Sequence, residues 1–153
     1  MNYESDDDLA NEARIAETFR VAMGFTSMVK PPKPADPYAC VLDRYFYDAF
    51  GVAVACCEIK KRDVPFNKYS TLNIDKKKCW VLKDEEHWGK IASYLIIEWT
   101  DAIGWVRPGL WEWHGETAIG INGGMWGDPN RPNSMRQAFF IPRGKFTMMT
   151  EWY

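Results

Sequence analysis

The sequence has few of the residues that bind zinc. Its 153 residues include four cysteines and two histidines, and the cysteines form no C-x-x-C pair. His87 and His114 are also far apart in the chain, so a zinc site is not expected. Cys40, Cys56 and Cys57 fall within apolar runs, where a free cysteine behaves as a small hydrophobic residue. We interpret them as reduced residues of the core.

Long hydrophobic runs, internal repeats and low-complexity segments are also missing. No apolar stretch approaches the roughly 20 residues that a membrane-spanning helix needs. The acidic residues 1–8 show no signal-peptide pattern. We therefore expect an intracellular protein with no membrane partner. The composition, 46% apolar and 26% charged over 153 residues, is typical of a single globular domain spanning residues 1–153.

The chain lacks a strong net charge as well. A formal charge of −2 argues against a protein that coats nucleic acid by charge alone. The charges are nevertheless unevenly distributed. Residues 58–78 hold seven basic against three acidic residues, whereas residues 1–20 hold six acidic against two basic. This distribution suits an enzyme that grips phosphates around a metal, and the alternative is a solvated loop and helix face.

Apolar periodicity and turn residues predict the order of the elements. Ser5 or one of the three aspartates that follow it can cap the first helix, and Gly24 can end it. Residues 109–134, rich in glycine and tryptophan, are interpreted as a hairpin or a long loop. The other predicted elements are a helix over 9–23, strands over 38–47 and 52–61, a helix over 74–90, and strands over 93–99, 102–106 and 137–142.

A group of charged residues lies where two of these strands meet. Glu58-Ile59-Lys60 ends a run that predicts a strand buried on both faces. Side chains alternate along a strand, so Glu58 and Lys60 share a face. Two hairpin registers bring Asp43 onto that face: one makes Glu58 its diagonal neighbour, and the other, shifted by two residues, places the two acids directly opposite. A slip of one residue would separate them.

Two carboxylates and an ammonium in this position indicate a divalent-metal site that acts on a phosphodiester. Asp43 and Glu58 would hold Mg²⁺, with Mn²⁺ as a substitute, and the carbonyl of Ile59 would add a ligand. The metal would polarise the phosphate and lower the pKa of a bound water. Lys60 would orient that water or stabilise the developing charge. Without metal, repulsion should raise the pKa of at least one acid; the alternative is a surface ion-pair cluster.

A third acid is predicted on the first helix. Glu12 lies on the stripe that faces the core, whereas Glu17 is predicted to face solvent. Val21 lies opposite the stripe and does not fit it. The other members of the stripe are Ile15, Ala16, Phe19 and Met23.

These residues resemble the motif of the PD-(D/E)XK nuclease superfamily, the restriction-endonuclease-like fold. The matches are Glu12, Asp43 and Glu58-Ile59-Lys60, and their spacing is most similar to that of small Holliday-junction resolvases and phage-type nucleases. Leu42 precedes Asp43 where the family name records proline. The resemblance covers about residues 9–107. Residues 108–153 have no counterpart and are expected to form a Gly/Trp-rich C-terminal extension.

The resemblance implies an α/β fold with a mixed central β-sheet flanked by α-helices in α-β-β-α-β order. It also implies a Mg²⁺-dependent endonuclease that cuts nucleic acid, with DNA favoured over RNA and structured or branched DNA as the substrate. A homodimer is expected for junction cutting, and host cytoplasm if a phage encodes the chain. The implied site residues are Asp43 and Glu58 as metal ligands, Lys60 as the catalytic lysine, Glu12 as the helix acid, and Lys61, Arg62, Lys77 and Lys78 as phosphate contacts.

Two other functions fit the sequence. The chain could be a nucleic-acid-binding module on the same fold with an inactive site. In that case Mn²⁺ would leave the binding of nucleic acid unchanged and would produce no cleavage. It could also be a protein-interaction domain whose surface is formed by the region after Pro108. In that case Asp43, Glu58 and Lys60 would form only a salt-bridge cluster.

Overall fold

The fold was analysed in a computed structural model that describes residues 5–32, 34–36 and 41–149. Three short 3₁₀ turns join some of the elements. The helices are α1 (Asp6–Met23) and α2 (Lys76–His87). The strands are β1 (Ser27–Val29), β2 (Arg44–Tyr47), β3 (Ala53–Lys61), β4 (Thr71–Asp75), β5 (Ala92–Glu98), β6 (Ile103–Val106), β7 (Trp113–His114), β8 (Thr117–Ala118), β9 (Asn122–Trp126), β10 (Arg136–Pro142) and β11 (Thr147–Met148).

The central sheet is mixed. Its strand order is β1-β2-β3-β5-β6-β11, with β3 and β5 parallel and the other neighbours antiparallel. A second sheet has the order β4-β10-β9, and β7 and β8 form a hairpin. The predicted α/β class with a mixed sheet is confirmed. The element order is longer than the predicted α-β-β-α-β, because β1 and β4 are additional strands before α2.

Helix α1 covers one face of the central sheet. Ser5 caps it through a capping box with Asp8, and Gly24 ends it at φ 78° in the left-handed region, both as predicted. The predicted stripe is buried at Ile15, Ala16 and Phe19. These residues pack against the face of the sheet that carries Phe46, Ala55, Cys57, Tyr94, Ile96 and Ile103. We call this the α1 face.

Helix α2 covers the opposite face, where Cys79 and Leu82 pack against Cys56 and Leu95. We call this the α2 face. The predicted start of α2 near Ile74 is wrong, because Ile74 lies in β4 and Asp75 caps the helix. Alternate burial of Leu72 and Ile74 has the period of a strand.

The region after Pro108 is built into the core. Phe139 and Ile141 of β10, together with Phe146, belong to the same buried cluster as Cys79 and Leu82. The segment is therefore not an appended extension: β10 pairs with β4, and β11 adds the last strand of the central sheet.

The strand predicted over 38–47 is shorter than expected. Strand β2 begins at Arg44, and residues 41–43 precede it without strand pairing. The rest of the prediction, with Cys40, lies outside the described residues. Within the described ranges, no helix is both long and apolar enough to cross a membrane.

Candidate active site

The pairing of β2 and β3 decides where Asp43 lies. Arg44 pairs with Cys57 and Tyr45 with Cys56, which is the predicted register that sets Asp43 opposite Glu58. The Asp43 N–H donates to the Cys57 carbonyl at 2.9 Å. The Ile59 N–H donates to Asp43 Oδ2 at 2.6 Å. Both bonds fix the Asp43 carboxylate beside β3.

Glu58 is the buried acid of the site, with 3% of its side chain exposed. Its Oε1 lies 3.5 Å from Lys60 Nζ and 3.2 Å from Lys78 Nζ. Lys78 comes from α2, which packs on this face through its neighbour Cys79. Among the described atoms, Glu58 Oε2 is buried with no hydrogen-bond partner. A buried carboxylate oxygen without a donor is costly unless a cation or a proton satisfies it.

Asp43 has the perturbed titration that two neighbouring acids predict. The pKa of Asp43 is raised from 3.8 to about 7, mainly by burial and next by the negative charge of Glu58. The hydrogen bond from the Ile59 N–H and the charge of Lys78 oppose this rise in pKa. The predicted raised pKa is therefore confirmed at Asp43.

Glu12 lies on the α1 side and reaches Asp43 through an arginine. Glu12 Oε1 is 2.6 Å from Arg44 Nη1 and 2.7 Å from Lys30 Nζ. The same Arg44 Nη1 donates to the Asp43 carbonyl at 2.8 Å. Glu12 also raises the pKa of Asp43, so the two acids are within electrostatic reach. A direct role for Glu12 as a third acid stays a prediction.

The residues predicted to contact phosphates differ in their exposure and in their partners. Lys61 and Lys77 are exposed, whereas Lys78 lies against Glu58 inside the site. Arg62 is partly buried, donates to the Asn73 carbonyl at 2.9 Å, and has its pKa lowered by burial.

Sequence reasoning missed Arg44 and the contact of Lys78 with Glu58. A signal for Arg44 was present, because it is a charged residue inside an apolar strand run and follows Asp43 directly. The Lys78 contact had no local signal, since it depends on how α2 packs against β3.

The oxygen donors of Asp43 and Glu58 fit a hard divalent cation such as Mg²⁺. The unpartnered Glu58 Oε2 is the observation that supports this fit. Over the part of the chain that the structure describes, no group of three His, Cys, Asp or Glu side chains is close enough to hold a metal. Two carboxylates alone leave Mg²⁺ short of its octahedral set, so it would need further oxygens from backbone, water or substrate.

Comparison with protein families gives a match over most of the chain. Residues 1–128 match the family described as "Phage putative PDDEXK endonuclease". The chain belongs to this family. The PD-(D/E)XK resemblance is therefore confirmed, and the region that matches the family extends past residue 107 through β9. Comparison with curated proteins and with solved structures gives no significant match.

Proposed function

We propose that this chain is a metal-dependent endonuclease that hydrolyses phosphodiester bonds in structured or branched DNA. The observation that carries the proposal is the acid pair: buried Glu58 holds an unpartnered oxygen opposite a half-buried Asp43 whose pKa is raised to about 7. A site that concentrates negative charge away from water, with lysines beside it, suits a divalent cation and a phosphate.

Asp43 and Glu58 would hold the cation, Mg²⁺ or Mn²⁺ in its place, with the Ile59 carbonyl as a candidate third ligand. When bound, it would polarise the scissile phosphate and make a nearby water more acidic. The Ile59 N–H keeps the Asp43 carboxylate oriented through its 2.6 Å hydrogen bond. Glu12 would act as a positioning residue, since Arg44 joins it to the Asp43 backbone.

Lys60 is proposed as the catalytic lysine. It shares the β3 face with Glu58, and its side chain is 34% exposed, so the ammonium can meet a phosphate while Glu58 stays buried. Lys60 would orient the attacking water or stabilise the charge that develops on the phosphate oxygens. Lys61, Arg62 and Lys77 would contact phosphates farther from the cleaved bond.

The direct test is cleavage by Glu58→Gln and Lys60→Ala in Mg²⁺ or Mn²⁺, compared with Glu17→Gln. Glu17 is a matched acid on α1 whose partner is Arg20. We expect each site variant to lose at least about a hundredfold in rate while keeping its circular dichroism spectrum, and Glu17→Gln to keep its activity. The substrates are a four-way junction, linear duplex, single-stranded DNA and RNA.

Two outcomes would contradict the proposal. The proposal requires the wild-type protein to cut at least one DNA substrate, and failure on the whole panel with both metals removes the nuclease assignment. DNA binding that is indifferent to Mn²⁺ and yields no product would favour a binding module on the same fold. A preference for the linear duplex over the junction would remove only the branched-DNA part.

A further inference from the structure

A cavity of about 590 Å³ is lined by residues that follow β3 and β5 and by residues of β4 and β9. Its volume is in the range of pockets that hold small ligands. Its walls include Leu72 and Trp99, which belong to the same buried cluster as Cys56 and Leu95. Glu58 and Lys60 share the face of Cys56 because side chains alternate along β3. The cavity and the site therefore open on one side of the sheet.

Arg62 joins the cavity to the site. It lines the cavity and follows Lys60 by two residues, a distance of about 7 Å along an extended chain. Its N–H donates to the Glu98 carbonyl at 2.8 Å, which holds this segment against the end of β5. A group bound in the cavity would thus be a near neighbour of a phosphate at Lys60.

The lining of the cavity is aromatic. Trp99 forms the buried part and meets Phe66 edge-on, with ring centroids 4.8 Å apart. Tyr69 and Trp126 also line the cavity, and 60% and 53% of their surfaces are exposed. Exposed rings beside a concave surface are suited to stacking on a flat ring such as a nucleobase.

The charge of the cavity suits a phosphate-bearing ligand. Arg62 and Arg143 line it together with one acid, Asp63. Within the described residues neither guanidinium lies in an ion pair with a carboxylate. The Arg62 guanidinium donates to the backbone carbonyls of Lys61 and Asn73, so it is held at the cavity wall by neutral partners and keeps its positive charge. A nucleotide offers both a ring for the aromatic wall and an anion for the guanidinium groups.

We propose that this cavity receives an unpaired nucleotide of the DNA substrate, next to the phosphate that is cut. Its base would lie against Trp126 and Tyr69, and its phosphate beside Arg62. The proposal rests on the proposed nuclease function and specifies its substrate: DNA with an unpaired or displaced base near the cleavage position. An unpaired base enters such a cavity at lower cost than a paired one, because no base pair has to be broken.

The test measures binding without cleavage. Two duplexes in EDTA, one fully paired and one with a single extra 2-aminopurine nucleotide, are titrated with the full-length protein. We expect tighter binding to the second duplex and a drop in 2-aminopurine fluorescence as its base stacks. Trp126→Ala should reduce the preference between the two duplexes about tenfold, and Tyr69→Ala should reduce it independently.

Trp88→Ala is the matched control, since Trp88 is 83% exposed and does not line the cavity; the preference should be unchanged in it. Equal binding of the two duplexes by the wild-type protein would overturn the proposal. So would a preference retained in both Trp126→Ala and Tyr69→Ala. Cleavage in Mg²⁺ is scored separately: activity without preference removes the cavity proposal alone, and preference without activity removes the nuclease proposal alone.

Discussion

At the scale of single residues, Glu58 and Asp43 form the centre of the proposed site. Glu58 keeps a carboxylate in a buried position by placing one oxygen between Lys60 and Lys78, while the other has no partner among the described atoms. One carboxylate oxygen of Asp43 accepts a hydrogen bond from the Ile59 N–H. We expect this arrangement to lower the free energy of unfolding of the metal-free protein, as binding and catalytic sites often do.

The free energy of unfolding should therefore depend on pH through the Asp43 carboxyl. The pKa of Asp43 in the fold is about 7, against an ordinary value of 3.8, so the folded protein binds this proton more tightly than the unfolded chain does. Stability from this group is present below about pH 4 and is lost as the pH rises through 7. We expect Asp43→Asn to be as stable as wild type near pH 4 and about 1–4 kcal/mol more stable at pH 8.

Urea denaturation in EDTA at both pH values measures this difference. Asp84→Asn is the control, because Asp84 is an exposed acid on α2 and takes part in no ion pair among the described residues. The same Asp43→Asn protein should be inactive in cleavage. If the free energies of unfolding of Asp43→Asn and wild type differ by the same amount at pH 4 and pH 8, the raised pKa of Asp43 is not the source of the pH dependence.

At the scale of elements, the hairpin and α2 bring the site together. The β2–β3 register shifts by one residue between Phe46 and Tyr47, and this irregularity sets Asp43 opposite Glu58. If the pairing of Tyr47 with Ala53 continued unshifted, Asp43 would lie opposite Cys57, whose side chain is on the α1 face. Asp75 caps α2 by accepting from the Lys77 N–H, so the first turn of the helix begins beside the site. That start places Lys78 within 3.2 Å of Glu58, while Lys77 remains exposed.

The two neighbouring lysines of α2 should therefore respond differently to substitution. Lys78 lowers the pKa of Asp43, so Lys78→Ala should raise that pKa further. Because the proposed mechanism requires ionised Asp43, the rising limb of activity against pH should move to higher pH at limiting Mg²⁺. Lys77→Ala should leave the limb in place and only weaken DNA binding, reducing its salt dependence.

Cleavage rates of both variants between pH 6 and 9 measure this. An unmoved limb in Lys78→Ala would show that the lysine serves only packing or phosphate contact. A movement of the same size in Lys77→Ala would instead point to a general effect of lost positive charge.

At the scale of the whole molecule, the C-terminal third completes the core. Phe139 is buried against the stacked Trp111 and Trp113, with ring centroids 6.2 and 5.7 Å away. Ile141 and Phe146 join the same cluster as α2. The interaction-domain alternative treated the region after Pro108 as a separable surface, yet its removal would expose the buried side of β4 and α2.

A chain shortened to residues 1–107 should therefore lose cooperative folding. Removing several fully buried side chains costs a few kcal/mol for each large one, which is comparable to the whole stability of a domain. Thermal melting and dye binding of the shortened and full chains measure this. Phe139→Ala should lower the melting temperature more than Phe140→Ala, whose side chain is only half-buried. A shortened chain with a sharp melting transition would contradict the expectation.

Local features explain most of what could be predicted. The caps and the buried stripe of α1, the turn before β3, and the shared face of Glu58 and Lys60 all follow from neighbours within a few residues. Strand β4 was misassigned because Leu72 and Ile74 are followed directly by helix-forming residues, and its partner β10 lies more than sixty residues away in the sequence. Short strands such as β1 lacked a signal of their own.

The sequence by itself determined the motif, its metal chemistry as a hypothesis, and the family, because residue types and their spacing are local properties. Only the tertiary structure decided which of two registers joins Asp43 to Glu58, that Lys78 contacts Glu58, and that Arg44 links Glu12 to Asp43. It also formed the aromatic cavity that Arg62 lines. These features depend on contacts between distant segments, and packing of the whole chain selects among the arrangements that local preferences allow.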